Sequence, residues 1–232
     1  SEIICSGTST EVFDFTSSME NETSYSWQVI ENLTSNNVAG YIENGIGNIH
    51  EQTSISTSDS TVGLITYSVT PSTSFCTGES QNFTITINPA PQINNFNETI
   101  CEGDTFISIT PEDGTNGVVP SGTTYTWDIA ANSSSSIVGA SASTADSSTI
   151  PGSELTLVAG TTSPQDLIYV VIPTSSEGCE GEDFTVTITV NPTAQVDDPL
   201  DYEYCDGDTA VIDFTTTNGG DDSVTTYSWA VI

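Results

Sequence analysis

The sequence predicts an all-β chain built as a tandem array of β-sandwich repeats, each of roughly 100 residues, the size of one ordinary domain. Three observations carry this. First, Cys76 to Pro89 (CTGESQNFTITINP) returns almost verbatim as Cys179 to Pro192 (CEGEDFTVTITVNP). Second, both copies alternate apolar residues with polar ones: Phe83, Ile85 and Ile87 in one, Phe184, Val186, Ile188 and Val190 in the other. Period two is the mark of a half-buried strand. Third, Cys-x-Gly recurs at Cys5, Cys101 and Cys205, and Tyr-x-Trp at Trp27, Trp127 and Trp229. Self-similarity at a fixed period is the signature of repeat architecture.

These markers divide the chain into repeat 1 (1–90), repeat 2 (91–192) and a partial repeat 3 (193–232). The Asn-Pro after each duplicated strand ends it, because proline has no N–H for the ladder. Repeat 1 should lack its first strand, since only four residues precede Cys5, whereas repeat 2 has room for one over 91–97. The strands of repeat 1 are then placed at 12–15, 25–30, 38–42, 53–55, 64–69 and the run ending at Asn88. Those of repeat 2 fall at 105–109, 123–130, 137–141, 155–159, 167–172 and 184–190. Seven short strands with turn signals about every dozen residues predict a sandwich of immunoglobulin-like architecture. The linkers Asn88 to Gln92 and Asn191 to Pro199 are short and contain proline, which favours an extended array.

Composition narrows the function. The chain carries 32 acidic residues, one histidine and no lysine or arginine, a formal charge of −32. Such a field repels phosphates, which argues against nucleic acid and anionic membrane surfaces as partners. No apolar run reaches the length of a membrane span. Salt bridges are limited to His50 and an amino terminus, so packing, backbone ladders and disulfides must hold the repeats. Lys-Asn isopeptide cross-links are impossible, and trypsin-like proteases find no site.

Trp27, Trp127 and Trp229 follow a tyrosine by two residues on one strand face. This could be a sugar-stacking platform, but recurrence at one position per repeat fits a central core residue of a sandwich. The five cysteines show no Cys-x-x-Cys spacing for metal or redox chemistry, so disulfides in an oxidising, extracellular compartment are the reading they support. Two pairings remain open. One closes bonds within repeats, Cys5–Cys76 and Cys101–Cys179; the other links neighbours, as in Cys5–Cys179. Cys205 pairs outside the chain under either scheme.

The pattern Ile-Cys-x-Gly, then Tyr-x-Trp, then Cys-x-Gly before a Phe-Thr-Val-Thr-Ile-Thr-Val-Asn-Pro strand resembles the PKD-like and immunoglobulin-like repeats of giant secreted Bacteroidetes proteins, including flavobacterial gliding-motility adhesins. The resemblance implies a cell-surface filament or adhesin, exported by type IX secretion and used in surface attachment or gliding motility. Its partners would be neighbouring repeats of the same chain, lateral copies and surface glycans. A glycan-binding repeat module is the competing reading, with loop tyrosines such as Tyr41 as contacts.

Catalysis has little support, since His50 lies in a polar loop and no nucleophile elbow is present. Calcium, which takes six to eight oxygen ligands, has candidates at Glu112 and Asp113 and at Asp197, Asp198, Asp201, Asp206 and Asp208, although no run matches an EF-hand loop. Asp-Ser/Thr triplets resemble the Bacteroidetes O-glycosylation motif at Ser60, Thr209 and Ser223.

Overall fold

A computed structural model describes residues 1–17, 23–30, 37–197, 201–216 and 225–230. Its described residues are β-strands, turns and loops, without a helix. The chain forms two compact units. Unit 1 comprises Ser1–Asn94, Pro111–Tyr125 and Ile172–Asp183; unit 2 comprises Asn95–Thr110, Thr126–Val171 and Phe184–Ile232. The tip of the last hairpin of repeat 2 belongs to unit 1.

Unit 1 is built on the five-stranded sheet β1-β7-β6-β2-β4, with β1 Glu2–Cys5, β2 Ser24–Ile30, β4 Asn44–Ile46, β6 Gly63–Ser72 and β7 Gln81–Asn88. The duplicated strand β7 ends at Asn88, ahead of the proline. A thinner layer faces this sheet. It contains β3 (Val38–Ala39) paired with β5 (Ser56–Thr57), and the bridges Thr8↔Ile55 and Phe13↔Ile49.

Period two puts alternate residues of β6 inside: Gly63, Ile65, Tyr67 and Val69 are buried. With Trp27, Ile49, Ile55, Ile85 and Ile87 these form the core. Tyr67 stacks on Phe83 at 5.2 Å and meets Trp27 edge-on at 5.7 Å, the offset and T-shaped arrangements that ring quadrupoles favour. Its phenol shares its one proton between the Ile42 carbonyl (3.0 Å) and Gln52 Oε1 (2.9 Å). Burial pushes the Tyr67 pKa up to about 12.

Repeat 2 follows the same plan in the sheet β13-β11-β15-β16-β9: β9 Phe96–Cys101, β11 Thr124–Ile129, β13 Ser143–Ser147, β15 Gln165–Thr174 and β16 Phe184–Asn191. Its facing layer is held by Thr105↔Glu154, Ile109↔Ile150 and the pair β12 (Ile137–Val138) with β14 (Thr156–Leu157). Phe184, Val186, Ile188 and Val190 of β16 are all buried. The Trp127 indole donates to the Ser141 carbonyl at 2.9 Å.

Several expectations change. Repeat 1 does have an opening strand: β1 runs parallel to β7, with Ile4 opposite Ile87 and Cys5 opposite Asn88. Its counterpart β9 runs parallel to β16, with Ile100 opposite Val190 and Cys101 opposite Asn191. In both, the strand runs into the cysteine itself, so four residues suffice. The segments 12–15 and 105–109 form isolated bridges rather than ladders, while the edge strands β4 and β13 carry too many polar residues to show alternation. Trp27 and Trp127 are core residues, each 7% exposed, but Trp229 is 76% exposed. Among the described residues of 201–230 no strand forms.

Candidate functional site, a disulfide-bonded seam

Cys5 closes β1, and the parallel register places it beside Asn88. The Ser6 N–H donates to the Asn88 carbonyl at 2.8 Å, and Gly7, at φ 88°, turns the chain so that its N–H reaches the Ile55 carbonyl at 2.7 Å. Cys76 lies before Gln81, beyond the other end of β7. Seven residue steps separate Gln81 from Asn88, about 23 Å of strand. A disulfide needs Cα atoms about 5.5 to 6 Å apart, so the intrarepeat bond Cys5–Cys76 is excluded. The same geometry excludes Cys101–Cys179, because Cys101 pairs with Asn191 at one end of β16 and Cys179 precedes Phe184 at the other.

The structure instead joins Cys5 to Cys179, with Cα atoms 5.5 Å apart. Cys179 sits at the tip of the β15–β16 hairpin within unit 1 and is fully buried. The tip is braced by the Ser175 N–H on the Cys179 carbonyl (2.9 Å), the Cys179 N–H on the Ser175 hydroxyl (3.2 Å) and the Gly181 N–H on the Pro173 carbonyl (2.9 Å). Gly181 lies so close to Pro91 that a Cβ would overlap the Pro91 carbonyl oxygen. Pro89 and Pro91 are themselves buried.

A second contact line lies in unit 1. Strand β8 (Gln92–Ile93) pairs with β10 (Gly117–Val118), where Gly117, at φ 120°, admits the Gln92 carbonyl. The Ser60 hydroxyl donates to Asp113 at 2.6 Å, and the Val119 N–H donates to the same carboxylate at 2.9 Å. The Ser60 bond and then the Val119 amide hold the Asp113 pKa below the usual carboxylate range. Asp59 is lowered similarly by the Thr61 hydroxyl and amide and by Asn37.

The other candidate residues are not brought together. Asp113 is engaged by Ser60 and Val119. Asp197 accepts from the Thr215 hydroxyl (3.0 Å), and Asp208 accepts from the Cys205 amide (2.9 Å). Among the described residues no three His, Cys, Asp or Glu side chains converge as a metal site. Asp198 and Ser223 lie outside the described residues. Thr209 is exposed, whereas Ser60 is half-buried with its hydroxyl engaged. His50 is exposed, and Tyr41 is half-buried against the core of repeat 1. Cys76, Cys101 and Cys205 are exposed free thiols. Sequence reasoning missed the roles of Gly181 and Pro91; the Pro-x-Pro linker beside a duplicated Cys-x-Gly was the available signal.

A tandem of immunoglobulin-like sandwiches, with parallel first and last strands and a disulfide on a hairpin tip, is thus the class the fold defines. The model of the PKD-like domain matches residues 2–91 and 94–194, and the chain belongs to that family. No curated protein matches it. Solved structures with similarity include human CDH23 EC21-23, at 15% identity over 94% of this chain and 84% of that one, with a TM-score of 0.33. The Clostridium thermocellum CbhA fibronectin(III)-like modules show 11% identity over 82% and 90%, with a TM-score of 0.27. The Bacteroides ovatus glucan-utilisation protein SGBP-B, solved with a mixed-linkage heptasaccharide, shows 13% identity over 80% of this chain but only 42% of its own length, with a TM-score of 0.26.

Proposed function

We propose that the chain is a tension-bearing stalk segment of an extracellular bacterial surface adhesin, serving attachment or gliding and working without catalysis. The observation that carries the reading is the Cys5–Cys179 bond, which spans a sequence separation of 174. A pull applied at the two ends enters at Cys5 and leaves at Cys179 through the sulfurs, so everything between is shielded from the load. A stalk benefits from that arrangement. The absence of lysine and arginine denies trypsin-like proteases a site, and the charge of −32 keeps parallel stalks apart until cations screen them. In a stalk built of many such repeats, weak contacts would add up. Export by the type IX route belongs to the same reading.

Force spectroscopy tests it. Pulled from both termini, the oxidised chain should hide the contour of the closed loop, and reductant should release about 600 Å of extra length. Equal contour lengths with and without reductant would overturn the reading.

A second reading, a glycan-binding module, is favoured by a cleft of about 360 Å³ in unit 1 lined by Asp14, Phe15, Tyr25, Asn82 and Phe83. It has the mixture of ring faces and polar groups that a sugar requires. A glycan array decides it: saturable sub-millimolar binding that Phe15→Ser abolishes would replace the stalk with the binding module.

A further inference from the structure

The molecule carries the parts of the Cys5–Cys179 joint more than once. The hairpin tip at Cys76 repeats that at Cys179. The Thr73 N–H donates to the Cys76 carbonyl (2.8 Å) as Ser175 does to Cys179 (2.9 Å), and the Gly78 N–H donates to the Pro71 carbonyl (2.9 Å) as Gly181 does to Pro173. The bridges Ser72↔Thr77 and Thr174↔Glu180 also correspond. A Cβ on Gly78 would face Pro71 as one on Gly181 would face Pro173.

The opening turn is duplicated just as closely. The Glu102 N–H donates to the Asn191 carbonyl and the Gly103 N–H to the Leu155 carbonyl, both at 2.8 Å, and Gly103 has φ 86°. These reproduce Ser6 on Asn88, Gly7 on Ile55 and the Gly7 angle. One tip and one opening turn are engaged with each other; the other tip carries a free Cys76 and the opening turn of repeat 2 a free Cys101, both exposed. Beside Cys76, Phe75 is 91% exposed, a large apolar ring on a chain of charge −32.

We infer that Cys76 and Cys101 are the two unfilled halves of the joint that Cys5 and Cys179 complete, so that the tip bearing Cys76 bonds selectively to the Cys101 turn of a second repeat of this kind. This rests on the equivalence of the repeats and does not require the adhesin role. The chemistry balances with a low-molecular-weight disulfide as oxidant. The Cys76 thiolate attacks glutathione disulfide and releases one glutathione; the Cys101 thiolate of the second copy then attacks the Cys76 sulfur of the mixed disulfide and releases the other. Two protein thiols and one glutathione disulfide become one protein disulfide and two glutathiones.

The test uses the full chain carrying Cys205→Ser, incubated with a glutathione redox buffer at about 0.5 M salt, where the Debye length falls to about 4 Å. Cross-links are mapped without reduction after cleavage at acidic residues. Because each copy has one tip and one turn, a head-to-tail ladder linked Cys76–Cys101 is expected. Adding Cys76→Ser or Cys101→Ser should each abolish it, and an equimolar mixture of these two variants should stop at dimer. Chance oxidation of exposed thiols would instead give Cys76–Cys76 and Cys101–Cys101 in comparable yield. That outcome, or no cross-link at all, overturns the proposal and leaves the force measurement on the Cys5–Cys179 loop untouched.

Discussion

Replacing Cys5 with serine removes the seam bond and leaves the buried Cys179 thiol without its partner. The bond closes a loop with a sequence separation of 174, for which chain entropy gives about 5 kcal/mol as an upper figure. At about 2 to 4 °C per kcal/mol for a chain of this size, the first thermal transition should fall by at most about 10 to 20 °C. The control is a thiol count on the unreduced, denatured monomer. Of five cysteines, two are bonded and three are free, so three thiols are expected. The intrarepeat scheme would leave one, at Cys205, and a fully reduced chain would show five. Calorimetry of Cys5→Ser beside the parent completes the assay. A count of one or five, or a shift under about 3 °C, would refute the geometric argument from the parallel register.

Three further outcomes follow from packing and titration. Gly181→Ala forces a Cβ against the Pro91 carbonyl oxygen and should cost about 1 to 3 kcal/mol, read as faster hydrogen exchange over 172–183. In Gly45→Ala the added methyl meets the ring of buried Trp27, a comparable cost visible in Trp fluorescence and denaturant midpoint, whereas Gly47→Ala, in open space but at φ 80°, should cost about 1 kcal/mol of backbone strain and leave Trp27 fluorescence unchanged. Tyr67 and Tyr125 are pushed up to about 12 by burial. Their stability contribution is full below pH 10, where the unfolded phenols are also protonated, and is lost as pH rises from 10 toward 12; on the order of 1 kcal/mol per tyrosine should be gone by pH 11. Alkaline melts with a flat midpoint between pH 9 and 11 would contradict this.

Much of the fold was legible in the residues. The alternation in β6, β7, β15 and β16 is a direct imprint of one face packing and one face wet, and Asn-Pro marks where the ladder must stop. The recurring Tyr-x-Trp located two buried indoles. Edge strands β4 and β13 were illegible because an edge has little apolar burial to impose a pattern on its sequence. The cysteines declared a disulfide framework by number and kind, yet their pairing stayed open, since spacing along a chain does not say which ends of a strand meet.

What the sequence by itself determined is therefore the repeat period, the strand-forming runs, the core indoles of repeats 1 and 2, and an acidic chain without cationic side chains to hold it together. What only the tertiary structure decided is the direction in which β1 and β9 pair. Parallel pairing with the last strand puts Cys5 at the Asn88 end and Cys101 at the Asn191 end, a strand's length from the hairpin tip of the same repeat. A parallel and an antiparallel first strand bury the same alternate side chains and so demand the same local pattern. The choice between them is made by hydrogen bonds to a strand some eighty residues away, and that choice sends Cys5 to Cys179.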